Sequence, residues 1–346
     1  KQTKGVKSER IRKILEIQRE WTEQLKKCDE VELYIIKSTV IIAGTCTGFV
    51  SNRIIRDVEF DYVIVDEAAK ATFPELAVSL NKAHKIILVG DHQQLPPVLD
   101  TEIIRNNKEK LDEEGLAQGI FERMYNMFPE DNKHRLTIQY RMHPTIGTLI
   151  SHVFYNDEIQ NGVEAQDREL CIEGYEGIAI EWISTSKYST KERYEKEFDN
   201  NGKKSYQNYL ERNIIERKLL ELDSKLVKKT KVAVITGYGS QKYILQTMVK
   251  QHSFKHIEVD VDTVDAFQGS QKDIILYSTV RSSGNKYGIG FLKSEARINV
   301  AFSRARCLLI IVGDMKFLDN YKIRGNKFPE IIKYITESEG CRIIEK

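Results

Sequence analysis

The sequence predicts an α/β protein with parallel sheets in two units, and three observations carry that expectation. Short apolar runs end abruptly in polar or small residues, amphipathic segments lie between them, and the second half of the chain repeats the alternation. Continuous rather than alternating runs suit strands buried on both faces by helices. Ligands of such sheets bind at the carboxyl ends of the strands.

In chain order, residues 8–27 place Ile11, Ile14, Leu15, Trp21 and Leu25 at helical spacing among charges, which predicts an amphipathic helix with one packed face. STVIIAGTCTG, DYVIVDEAA and KIILVGDHQQL then read as three strands with their tails. In the second half GIAIEWIS, KVAVITGY, DIILYSTV and CLLIIVGD read as strands. HPTIGTLISHVFY, NYLERNIIERKLLELDSKL, QKYILQTMVKQH and ARINVAFSRA read as helices. The turn-prone PEDNKHR, 129–135, marks a boundary, giving units over 1–130 and 131–346. Residues 184–205 are charged and nearly free of aliphatic side chains, so a solvated loop or insertion is expected there.

At 346 residues and 41 % hydrophobic content the chain can bury a sizeable core. Charged residues make up 30 % and nearly cancel at +2, so a nucleic-acid surface would have to be a local groove. Five scattered cysteines without a C-x-x-C pair argue against a disulfide framework and a zinc site, and point to a reducing cytoplasm. No apolar run approaches the roughly 18 residues that span a bilayer, and the opening KQTKGVKSER is unlike a signal peptide.

The chemistry concentrates in six segments: VDEAA (65–69), GDHQQLPPV (90–98), QYRMHP (139–144), VITGYGSQ (234–241), VDTVDAFQGSQKD (261–273) and RINVAFSRAR (297–306). Singly each has a plain structural reading. Adjacent acids after a strand suit a helix start, GDHQQLPP suits a proline-fixed turn, and strand-end threonines suit buried hydroxyls. In that order and spacing they resemble the superfamily 1 helicases, in the branch that includes senataxin and the nonsense-mediated-decay RNA helicase. The likeness covers residues 38 to 315.

The resemblance implies two RecA-like domains of the P-loop NTPase class, the first incomplete at its N-terminus, with ATP between them and single-stranded DNA or RNA across both. It implies Asp66 as the Mg2+ carboxylate, Glu67 as the group that activates water, and Gln94 as the γ-phosphate sensor. Arg141 and Arg304 match the two arginines that reach γ-phosphate, a task suited to a guanidinium that cannot deprotonate. Tyr140 matches the adenine-stacking aromatic, while Gln268 and Gly269 match the loop coupling nucleotide to strand. Gln271 stands where the family commonly has a ribose-binding Glu, so the contact keeps its hydrogen bond and loses its charge. Thr45, Thr47, Thr236, Tyr238 and Thr263 lie where family members hold phosphates, contacts that position a strand without reading its bases.

No segment fits G-x-x-x-x-G-K-[ST], the loop whose N–H groups and lysine cradle phosphates: GTCTGFV lacks the lysine and NGKKS the earlier glycine. The expectation is a helicase or translocase whose phosphate loop lies in an upstream segment of the same polypeptide, leaving this chain inactive alone. The alternative is a non-catalytic nucleic-acid-binding module on the same domains.

Overall fold

The computed structural model describes residues 2–25, 29–55, 58–98, 119–200, 203–283 and 288–345. The chain divides into two compact units, Lys1–His92 with Pro96–Phe128, and Gln93–Leu95 with Pro129–Lys346.

In the first unit the described elements are α1 (Gln2–Leu25), α2 (Asp29–Ser38), α3 (Cys46–Ser51), β1 (Phe60–Val65), α4 (Phe73–Leu80), β2 (Ala83–Leu88) and α5 (Ile120–Met127). Strands β1 and β2 pair in parallel, with Val63 beside Ile86 and Val65 beside Leu88 on one face. That face packs on Ala68, Ala69, Leu76 and Phe121. The opposite face, with Tyr62, Ile64 and Ile87, is bare, and Ile64 is 67 % exposed. Burial on both faces, expected from the apolar run, does not hold here, because among the described residues helices cover one side only.

Two further expectations change. STVIIAG forms no strand: among the described residues β1 and β2 pair only with each other, so its backbone groups join no ladder there, and Val40 is 97 % exposed. Helix α1 forms, yet Ile11, Ile14, Leu15 and Trp21 all stand in solvent. Its apolar stripe meets no covering element among the described residues.

The second unit runs β3 (Ile138–Gln139), α6 (Pro144–Phe154), β4 (Gln160–Asn161), β5 (Ile180–Ser184), α7 (Thr190–Arg193), β6 (Lys196–Asn200), β7 (Lys203–Gln207), α8 (Tyr209–Lys225), β8 (Thr230–Thr236) and α9 (Gly239–Val249). It continues with β9 (Ile257–Thr263), β10 (Lys272–Ser278), α10 (Glu295–Phe302), β11 (Ala305–Gly313), α11 (Met315–Asn320), α12 (Phe328–Glu337) and β12 (Cys341–Glu345). Six strands form one all-parallel sheet in the order β12-β5-β11-β10-β8-β9.

Side chains alternate cleanly across that sheet. Ala233, Ile235, Ile275, Tyr277, Leu309 and Ile311 meet α6, α10 and α12 on one face. Val232, Val234, Ile274, Leu276, Ile310 and Val312 meet α8 and α9 on the other. Both faces are covered, as continuous apolar strands require.

Residues 184–205, expected as a solvated loop, instead carry α7 and the antiparallel hairpin β6–β7. Glu195 is the cause: its buried carboxylate meets Arg281 at 2.9 Å and accepts the N–H groups of Ser282 and Ser283. One inward acid thus ties a polar segment to the sheet.

Candidate functional site

In the first unit, Asp66 and Glu67 follow β1 directly, at the carboxyl end expected to carry ligand chemistry. Glu67 adopts a left-handed backbone, φ 54°, rare for a residue with a side chain. Its N–H donates to Asp66 Oδ1 at 2.9 Å, and the turn is pinned by Ala68 N–H to Val89 C=O at 2.8 Å. Both acids remain exposed. Gly90 permits this close packing, since a Cβ there would lie 2.8 Å from the Ala69 nitrogen. Thr45 caps α3 by accepting the Gly48 N–H, and Thr47 lies beside it, both exposed.

The second unit brings several predicted residues together. Because its six sheet strands are parallel, their amino ends share one edge and their carboxyl ends the other. Arg304 immediately precedes β11, and its backbone C=O accepts the N–H of Lys272 at the start of β10. The Arg304 guanidinium, 2 % exposed, donates to Val300 C=O at 3.1 Å and reaches Ser270 C=O and Gln94 Oε1, each at 3.5 Å. Arg141 donates to Ser303 C=O at 3.3 Å. Arg141, Arg304, Gln94 and the 268–271 loop therefore gather at the amino edge. Gly269 takes φ 80°, which a residue with a Cβ would resist, and Gln271 beside it is exposed.

QYRMHP owes its shape to its own first residue and to Arg168, which no sequence signal singled out. Gln139 Oε1 accepts the N–H groups of Arg141 and Met142. Arg168 donates to the carbonyls of Arg141 and Tyr140 at 2.9 and 2.7 Å. Tyr140 lies against Gly162, where any side chain would strike its ring, and is 63 % exposed, as a stacking aromatic requires. His143 caps α6 by accepting the Thr145 N–H, and burial holds its pKa below the usual imidazole value, so it stays neutral.

At the carboxyl edge, Thr236 ends β8 and Thr263 ends β9. The Thr236 hydroxyl is fully buried without a hydrogen-bond partner among the described residues. Tyr238 is enclosed, and burial pushes its phenol pKa up to about 12. Tyr238 is therefore packed rather than presented at the surface, contrary to the phosphate-binding expectation.

The same edge holds a clamp that sequence reasoning missed. Val280 adopts φ 69°, strained for a β-branched residue. Its N–H donates to both oxygens of Glu211 at 2.9 Å, and its C=O accepts from Asn208 Nδ2 at 3.0 Å. Ser278 and Thr279 hydroxyls also donate to Glu211, whose burial raises its pKa to about 8. Asn208-x-x-Glu211 is legible as a helix cap, and Asn208 does accept the Glu211 N–H. Nothing in the sequence shows the carboxylate turning toward a neighbouring strand.

Two family models, each described as AAA domain, match residues 116–316 and 1–102. A homolog of regulator of nonsense transcripts 1 from Neurospora crassa is 34 % identical over 85 % of this chain and 26 % of its own length. An ATP-dependent helicase from Saccharomyces cerevisiae is 33 % identical over 92 % of this chain and 31 % of its own. The chain belongs to the AAA-domain family, on its superfamily 1 helicase branch. An uncharacterized ATP-dependent helicase from Methanocaldococcus jannaschii extends the helicase likeness to 99 % of the chain, at 30 % identity, and the chain spans 48 % of that relative. This helicase-family chain thus spans half or less of the relatives it matches. Among its described residues no helix is long and apolar enough to cross a membrane.

Proposed function

We propose that this chain forms the Walker B side and second RecA-like domain of an ATP-dependent helicase or translocase moving along single-stranded DNA or RNA. The observation that carries the reading is the gathering of Arg141, Arg304 and Gln94 with the 268–271 loop at one edge of the second sheet. Two guanidinium groups there suit the charge that develops on a transferring phosphoryl group. Gln94, in reach of Arg304, suits a sensor of γ-phosphate, and exposed Tyr140 suits adenine. Gln268, Gly269 and Gln271 follow Thr263 on the connection that runs from the carboxyl edge to the amino edge of the sheet. That connection gives strand binding a short covalent path to the nucleotide groups.

Asp66 fits Mg2+, which takes one or two protein carboxylates and leaves its other positions to water and phosphate. Bound there, the ion would neutralise charge on the β and γ phosphates. Glu67, exposed on a rigid turn, would take a proton from the attacking water. Thr45, Thr47 and Thr263, which keep solvent access, would hold the strand through its phosphates, whereas Thr236 and Tyr238 are buried and do not present themselves for that role.

The phosphate loop is assigned to a further segment of the same polypeptide. The bare face of β1–β2 and the exposed STVIIAG run support this, because a further helix would cover the face and further strands would pair with the edges. Residues 1–346 alone should show negligible ATPase, and the polypeptide that adds a phosphate loop should hydrolyse ATP faster with single strands present. Absence of hydrolysis with both DNA and RNA strands would overturn the proposal.

A further inference from the structure

A ladder of stacked side chains crosses the second unit from its interior to its carboxyl edge. Arg281, fully buried, lies over the Tyr206 ring at 4.0 Å. Tyr206 meets Tyr238 edge-on at 5.3 Å between centroids, and Tyr238 meets Phe291 at 5.2 Å in the same manner. Arg297 closes the series, its guanidinium 4.7 Å from the centroid of Phe291. Each terminal arginine has a carboxylate: Glu195 inside and Asp265 outside.

The inner rungs are core, and the last is not. Tyr206 and Tyr238 are buried, whereas Phe291 is 41 % exposed. Phe291 sits against Gly237, where a Cβ would come within 3.3 Å of its own Cβ, and its N–H donates to the Tyr238 hydroxyl at 3.4 Å. It is therefore fixed beside the end of β8, next to Thr236, while Asp265 ties Arg297 to the loop that begins at Thr263. The Arg297 guanidinium lies over one face of the ring, so a base would meet the exposed remainder of Phe291 and the outer plane of Arg297 at little conformational cost. An arginine already matched by a carboxylate offers its plane more than its charge.

We propose that Phe291 and Arg297 form a stacking platform for one unpaired base at the carboxyl edge of the second sheet. This rests on the single-strand reading above and adds to it a contact with a base rather than a phosphate. Aromatic rings and guanidinium planes both stack on bases, and such stacking tolerates any sequence. The platform thus sets how firmly a base is held, without choosing which base.

The test compares binding of a single strand of about a dozen nucleotides, as oligothymidylate and oligouridylate, with binding of an abasic sugar-phosphate strand of equal length. Phe291→Ala should weaken binding of the base-carrying strands roughly 5- to 100-fold and leave the abasic strand unchanged. Phe291→Trp should restore the loss, which separates stacking from misfolding. Unchanged binding of base-carrying strands by Phe291→Ala overturns the platform and leaves the helicase reading standing. Equal loss on all strands without rescue by Trp also overturns it. Failure of the unaltered protein to bind any strand removes both proposals.

Discussion

Apolar runs of similar composition end up in opposite surroundings in the two units. DYVIV of β1 and KIIL of β2 leave Tyr62, Ile64 and Ile87 in solvent, whereas CLLIIV of β11 is enclosed by helices on both faces. The run of residues sets the tendency to form a strand, and neighbours decide whether the strand is core. A sheet needs cover on two faces and partners on its edges, and in the first unit the described residues supply one face and one pairing.

Substitutions sharpen the contrast. Glu195→Ala should have the largest effect on stability, about 3 to 5 kcal/mol, since it leaves the Arg281 charge buried without its carboxylate and frees the β6–β7 hairpin. Urea unfolding measures it, and a loss below about 1 kcal/mol would mean the pair is solvated. Ile310→Ala, in the middle of β11, should cost about 2 to 5 kcal/mol. Ile64→Ala, on the bare face of β1, should stay within about 0.5 kcal/mol. Equal costs at the two isoleucines would break the comparison.

A smaller, pH-dependent effect belongs to Glu211. Its folded pKa is raised to about 8 by burial, against 4.5 as the ordinary value, so the folded state keeps a proton that the unfolded chain releases. Stability from this group is undiminished below about pH 4.5, declines as pH climbs toward 8, and levels off above it. Glu211→Gln should flatten that decline in unfolding curves collected across the window. A variant with an unaltered slope would place the titration elsewhere.

Much of this was legible in the sequence, and the rest was hidden for separate physical reasons. The second sheet was readable because β5, β8, β10 and β11 are continuous apolar runs that both faces bury. Strand β9, IEVDVDT, was missed: it lies at the sheet edge and alternates apolar with acidic residues, so it lacks the continuous apolar run of its neighbours. STVIIAG was misjudged because a run cannot announce whether a partner strand is present. In the site, Arg141, Arg304 and Gln94 came from motif order alone. Arg168, Glu211 and Glu195 act by turning a polar side chain toward backbone groups distant in the chain, which no local pattern encodes.

The proposed function requires that Glu67 and Arg304 both act in ATP hydrolysis. Its most direct test is strand-stimulated ATP turnover by the polypeptide that includes a phosphate loop, comparing the unaltered protein with Glu67→Gln and Arg304→Ala. ATP binding should persist in the Glu67→Gln variant with its turnover abolished, and Arg304→Ala should lower the rate by about 10³-fold or more. Turnover unchanged in either variant would contradict the role assigned to that residue, and unchanged turnover in both would end the account.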